Sequence, residues 1–106
     1  MTPHEFVLLW KAEKESLLEH YFAVGSKTAV AAKIAALSLD QKQSALLREV
    51  VDGVLIDAFY GLLLGLDGCA SIGGRQIDYQ LADEEGNLLT GPGEIEGEAW
   101  EAFHGD

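Results

Sequence analysis

Cys69 and Ser71 are the first side chains in this sequence with the potential for chemistry. Both lie in the glycine-rich segment 67–74, where either could act as a nucleophile. A serine or cysteine nucleophile needs a neighbouring base, and no histidine lies near them in the sequence. A lone cysteine is more often a small, buried, unreactive side chain. We therefore predict no catalytic residue, and the sequence favours a protein that is not an enzyme without deciding the point.

Metal and phosphate chemistry have no better candidates. The histidines His4, His20 and His104 are scattered, and one cysteine cannot supply a cluster of thiolate ligands. The glycine-rich segment follows a predicted helix and precedes a predicted strand, which is the reverse of the order in phosphate-binding loops, and it lacks their lysine. We expect neither a metal ion nor a cofactor.

A row of small residues on the central helix is the next candidate. It consists of Glu49, Gly53, Asp57, Gly61 and Gly65, spaced four apart and therefore on one side of a continuous helix. Each glycine inside a helix is less favourable than alanine by about 1 kcal/mol, so something is expected to lie close against the row.

Two occupants of this row are consistent with the sequence. The first is another helix or the connection 67–75, with Asp57 accepting hydrogen bonds from a backbone or from the indole N–H of Trp10. The second is a small ligand in a groove, with Asp57 as its polar anchor and with Asp57, Gly61 and Asp67 as the ligand-binding residues. This second interpretation is the alternative function: a small-ligand-binding protein or enzyme that uses the groove and the 67–74 loop.

The charge of the chain is strongly negative and unevenly distributed. The 106 residues include 7 Lys and Arg against 18 Asp and Glu, a net charge of −11. Residues 67–106 hold ten of the acidic side chains, Asp106 included, and Arg75 as their one basic side chain, whereas residues 1–66 are nearly neutral. Nucleic acids and anionic membranes are thus disfavoured as partners.

This acidic region leads to our first functional hypothesis. Like charges four residues apart on a helix oppose each other, and acidic surfaces steer association with basic partners. The hypothesis is a non-enzymatic binding module that docks a basic protein in an immunity or regulatory role, and a merely solvated acidic surface is the alternative. The predicted partner-binding residues are Asp83, Glu84, Glu85, Glu94, Glu98 and Glu101.

The elements that must position these residues form an α+β fold in one domain, residues 1–106. A capping box of Thr2 and Glu5 starts a first helix that ends near Gly25. Ser26 caps a second helix, and Ser38 with Gln41 starts a long central helix over 39–66. A β-hairpin at about 76–90 and a short C-terminal helix follow.

The central helix has an amphipathic first half and an apolar second half. The side chains predicted to face inward are Leu46, Leu47, Val50, Val51 and Val54, and those predicted to face outward are Arg48, Glu49 and Asp52. The segment 54–66 is apolar nearly all round. It is expected either to be wrapped by other elements or to pair with a second copy, so a homodimer through this segment is a further hypothesis.

Three features predict a cytoplasmic location. One cysteine cannot form an internal disulfide. The first residues lack the basic start and cleavage site of a signal peptide. The most apolar stretch, 50–66, contains Asp52 and Asp57 and is shorter than the roughly 20 residues that span a bilayer.

Two segments in the second half carry a resemblance to known proteins. They are 59–68, FYGLLLGLDG, and 79–89, YQLADEEGNLL. In both, the chain resembles small bacterial proteins of unassigned function, some of which are similar to the immunity proteins that neutralise bacterial toxins. The resemblance implies a bacterial cytoplasmic binding protein, and it assigns no site residues.

Overall fold

The computed structural model describes residues 1–91 and 93–105, which leaves Pro92 and Asp106 outside the described residues. It contains four helices, connected by irregular segments. Their bounds are α1 Pro3–Phe22, α2 Ala29–Ala36, α3 Gln41–Leu66 and α4 Glu96–Phe103. Helices α1 and α3 pack antiparallel as a pair, α4 packs on both of them, and α2 packs on α1.

Helices α1, α2 and α3 each begin at a side chain that caps the first turn, and for α1 this is the capping residue that the sequence predicts. Thr2 accepts a hydrogen bond from the Glu5 N–H, and Glu5 accepts one from the Thr2 N–H, which confirms the capping box. The Thr2 N–H also helps to lower the pKa of Glu5. The capping residues predicted for α2 and α3 are wrong: Thr28 caps α2 in place of Ser26, and Asp40 with Gln43 caps α3 in place of Ser38.

The predicted β-hairpin is wrong, and with it the α+β class. Within the described residues the segment 76–90 contains no strand, only an isolated bridge between Ala82 and Leu88. The alternating side chains Ile77 and Tyr79 remain more than one third exposed. Two paired segments without a third strand or a buried apolar face do not form a stable sheet. The alternating residues therefore form part of an extended loop.

The core lies where α1, α3 and α4 meet. Its buried side chains are Val7 on α1, Leu63 on α3, Ile95 at the start of α4, and Ala99 and Phe103 on α4. The predicted C-terminal helix is confirmed, and its four-residue spacing of Ile95, Ala99 and Phe103 faces the core as expected. This arrangement places the acidic C-terminal region at one end of the α1–α3 pair.

The predicted orientation of the first half of α3 is right for some residues and wrong for others. Leu47 and Val51 are half-buried and Glu49 is exposed, as predicted. Leu46, Val50 and Val54, predicted to face inward, are each exposed by more than half of their surface. Instead, Asp52 faces α1 and accepts a 2.7 Å hydrogen bond from the ammonium of Lys14, which is itself 9% exposed.

A second polar contact between the two helices lies nearer the end of α1. There Arg48 pairs with Glu19 and lies over the ring of Phe22. Asp52 and Arg48 therefore face α1, where they pair with Lys14 and Glu19, whereas Leu46, Val50 and Val54 remain outside this contact.

Candidate functional site

The acidic C-terminal region is held in place by one buried carboxylate, Asp67. This residue lies one position beyond α3 and is 4% exposed. Its Oδ1 accepts a hydrogen bond from the Gly91 N–H at 3.2 Å, and its Oδ2 accepts two, from the Ile95 N–H at 3.0 Å and the Glu96 N–H at 3.1 Å. Asp67 thus joins the end of α3 to the start of α4, where backbone N–H groups otherwise lack partners.

Thr90 gives the loop before α4 its second anchor. The Thr90 hydroxyl donates to the Tyr79 carbonyl at 2.8 Å and accepts from the Leu81 N–H at 3.0 Å. Leu89 beside it is buried. The two Thr90 hydrogen bonds therefore tie the two sides of the loop 79–90 together, and the buried Leu89 packs the loop on the body of the protein although it forms no sheet.

Asp83 organises the tip of this loop. Its carboxylate accepts hydrogen bonds from the Glu85 and Asn87 N–H groups at 3.0 and 2.9 Å, and from the Asn87 side chain at 3.0 Å. It also pairs with the Met1 ammonium at 2.7 Å. The Met1 ammonium first, and then Asn87, hold the pKa of Asp83 far below its usual range, so this residue is a fixed negative charge.

The carboxylates of α4 lie beside the first turns of α1. Glu98 Oε2 lies 2.6 Å from His4 Nδ1, and Glu98 and Glu101 share a shallow depression with His4 and Lys11. Lys11 on α1 thus places one positive charge beside the carboxylates of α4, which sequence spacing within α4 could not reveal.

Three further carboxylates, two at the tip of the loop and one just before α4, form no ion pair among the described residues. They belong to Glu84, Glu85 and Glu94, which are all exposed. Together with Asp83, Glu98 and Glu101 they surround one end of the α1–α3 pair. We call this set of six residues the acidic end.

Cys69 has neither the environment nor the neighbours of a nucleophile. Its thiol lies 3.7 Å from Asp67 Oδ2, a weak contact. Desolvation, followed by the nearby Glu96 carboxylate, raises the pKa of the thiol. A raised pKa lowers the fraction of reactive thiolate.

The structure does not bring Asp57, Gly61 and Asp67 together as one site. Asp57 and Gly61 are exposed on the outer side of α3, whereas Asp67 is buried. Ten residues of helix also separate Asp57 from Asp67 by about 15 Å along the axis. The predicted hydrogen bond from Trp10 to Asp57 does not form, because the Trp10 ring packs edge-on against Phe59.

A small cleft does lie beside Asp67, and it is the nearest feature to the alternative ligand site. Its volume is about 260 Å³, and Asp78, Gln80 and Thr90 are among its lining residues. That volume is below the roughly 300–1,000 Å³ of most small-molecule sites. The Asp67 carboxylate in its wall already accepts three N–H groups. No group of three or more metal-ligating side chains occurs among the described residues.

The glycine row is covered at one position only. A Cβ on Gly65 would overlap the Ile72 side chain from the connection after α3, so the predicted packing of 67–75 against the row is found there. Gly53 and Gly61 have no neighbour within 4 Å of such a Cβ. Most of the row is therefore an open helix surface.

This difference leads to a prediction about helix stability. Gly53→Ala is expected to raise the free energy of unfolding by about 1 kcal/mol, because alanine restricts the unfolded chain and meets nothing in the folded one. Gly65→Ala is expected to lower it, because Ile72 must shift. Urea denaturation of the two variants measures both changes in the free energy of unfolding. Equal changes of the same sign would contradict the conclusion that Gly65 is covered and Gly53 is open.

Comparisons with known proteins add no relative to this description. No protein-family model, curated protein or solved structure matches the chain. The assignment of a role therefore depends on the surface itself. Of the described helices, none is both long enough and apolar enough to cross a membrane.

Proposed function

We propose that this protein is a non-enzymatic binding module of the bacterial cytoplasm that docks a basic protein partner through its acidic end. The observation that carries the proposal is the placement of Glu84, Glu85 and Glu94, three exposed carboxylates without ion pairs among the described residues. An immunity or regulatory role, in which the module covers a basic surface of another protein, fits this chemistry.

The way in which the acidic end is held supports the proposal. Asp83 and Asp67 use their carboxylates to hold backbone N–H groups, so the loop and the start of α4 are fixed before any partner arrives. A pre-organised surface loses less conformational entropy on binding. Charges at the rim of such an interface mainly raise the association rate and make binding dependent on salt.

The test compares two triple variants with the same loss of charge. Glu84→Gln, Glu85→Gln and Glu94→Gln remove three carboxylates from the acidic end. Glu13→Gln, Glu15→Gln and Glu49→Gln remove three exposed carboxylates from α1 and α3, where the described residues also give them no ion pair. Each protein is immobilised and used to capture partners from a bacterial cytoplasmic extract at low and high salt.

We expect the wild type and the α1/α3 variant to retain the same basic protein. The acidic-end variant is expected to retain about tenfold less at low salt, since three exposed contacts of about 0.5 kcal/mol each amount to about one factor of ten. Its capture should also depend less on salt. Equal capture by all three proteins, or capture of a partner that is not basic, would contradict the proposed function.

A further inference from the structure

The outer side of α3 is an apolar face that no other part of residues 1–91 and 93–105 covers. It consists of Leu46, Val50, Val54, Ala58 and Leu62, spaced four apart and all exposed. We call these five residues the α3 outer face. Val50 and Val54 are 60% and 59% exposed, and they lie on the side of α3 opposite the buried Leu63 and the half-buried Ile56. Two exposed carboxylates, Glu49 and Asp57, lie beside the face.

The single chain also exposes more surface than a folded monomer of its mass. Monomers of 11.4 kDa expose about 5,800 Å², and this chain exposes 7100 Å². Its radius of gyration is 16.2 Å, against about 13 Å for a compact chain of this length. The excess of about 1,300 Å², to which the exposed segment 71–80 and the α3 outer face both contribute, is more than the roughly 800 Å² that each partner buries in a standard protein interface.

We propose that the α3 outer face binds the same face of a second copy, with the two α3 helices antiparallel and crossing at Val54. The face is self-complementary about this residue. An antiparallel partner centred there sets Leu46 against Leu62, Val50 against Ala58, and Val54 against itself. Such pairwise exchange is what a two-fold interface requires. The sequence-based hypothesis placed the dimer contact over 54–66, and the exposed face moves it to 46–62.

Charge favours the antiparallel arrangement over the parallel one. Lys27, Lys33 and Lys42 are exposed at the end of the molecule formed by α2 and the start of α3, with Asp40 as the acidic side chain of that segment. The acidic end lies beyond the opposite end of α3. Antiparallel pairing places the acidic end of each copy toward the lysines of the other, whereas parallel pairing would bring the two acidic ends together.

The first test is the oligomeric state. Sedimentation equilibrium of the wild type is expected to show a dimer of twice the 11.4 kDa chain mass throughout the micromolar range. Val54→Arg is expected to shift the protein to monomer, because two arginines would face each other at the crossing. Ser16→Arg, which adds the same charge on an exposed position of α1, should leave the dimer intact.

The second test does not depend on how well the Val54→Arg variant folds. In a Cys69→Ser background, Val54→Cys is expected to form cross-linked dimers with a short bis-maleimide, since packed helices lie about 8–10 Å apart. Ser16→Cys in the same background should remain uncrosslinked at the same concentration. The cross-link also distinguishes the antiparallel from the parallel arrangement. An antiparallel crossing at Val54 brings two Val54→Cys thiols together but holds two Leu46→Cys thiols apart, so Val54→Cys should cross-link more than Leu46→Cys.

Three outcomes would overturn the proposal. They are a wild type that is monomeric at every concentration, a dimer that Val54→Arg leaves unchanged, and cross-linking that is no greater at position 54 than at position 16. A monomeric wild type that floats with phosphatidylcholine vesicles would assign the face to lipid instead. None of these results bears on the glutamine variants of the acidic end, so the two proposals can fail separately.

Discussion

Replacing Asp67 by alanine is expected to lower the free energy of unfolding by about 3 kcal/mol. The side chain is 4% exposed, and its carboxylate accepts the N–H groups of Gly91, Ile95 and Glu96. Hydrogen bonds to a charged group contribute more than neutral ones, and alanine would take the acceptor from all three donors, of which the Ile95 N–H is buried.

Two further variants test whether the loss comes from the hydrogen bonds of Asp67. Asp67→Asn keeps one oxygen acceptor but turns an amide N–H₂ toward backbone donors, so about half of the loss is expected. Asp57→Ala, an exposed aspartate on the same helix, should change stability by less than about 0.5 kcal/mol. Urea denaturation at one protein concentration measures all three. Similar losses for Asp57→Ala and Asp67→Ala would show that Asp67 is not the residue that holds α4.

Replacing Leu63 by alanine is expected to lower the free energy of unfolding by about 3 kcal/mol. Leu63 is fully buried at the junction of α1, α3 and α4, where it belongs to a cluster with Val7 and Ile95. Few side chains among the described residues are fully buried. Few neighbouring side chains can therefore move in to fill the cavity that the substitution leaves. The loss combines the transfer of the missing atoms with the cavity left behind.

Leu9→Ala provides the matched control for this substitution. Leu9 is 55% exposed on α1, so the same truncation should lower stability by less than about 1 kcal/mol. The midpoint and slope of urea unfolding, recorded at equal protein concentration, compare the two variants. Equal losses would mean that the packing of α4 and α1 on α3 is looser than the structure shows.

The helices were the most predictable part of the fold, because their signals are local. The Thr2 and Glu5 capping box lies within four consecutive residues and forms as expected. The four-residue spacing of Ile95, Ala99 and Phe103 is likewise contained in α4 itself. Alternation at 77–81 is also a local signal, but a strand needs neighbouring strands to pair with, and the part of the chain that the structure describes supplies none at that place.

The candidate site was predictable in composition and not in geometry. The concentration of carboxylates after residue 66 is visible in the sequence. That Glu98 would meet His4, across 94 residues, depends on how α4 packs against α1. Asp67 appeared in the sequence only as one anchor of an alternative ligand groove. Its role as a structural acceptor depends on N–H groups more than twenty residues further along the chain.

The sequence by itself determined where the helices form and which end of the chain carries the charge, since capping, periodicity and charge are properties of neighbouring residues. The tertiary structure decided which side of α3 faces the rest of the protein. An apolar stripe can be buried within its own chain or against another molecule, and its spacing is the same in both cases. Here Leu63 on α3 is buried in one cluster with Val7 on α1, and Lys14 meets Asp52. These contacts between distant residues leave Val50 and Val54 on the outside.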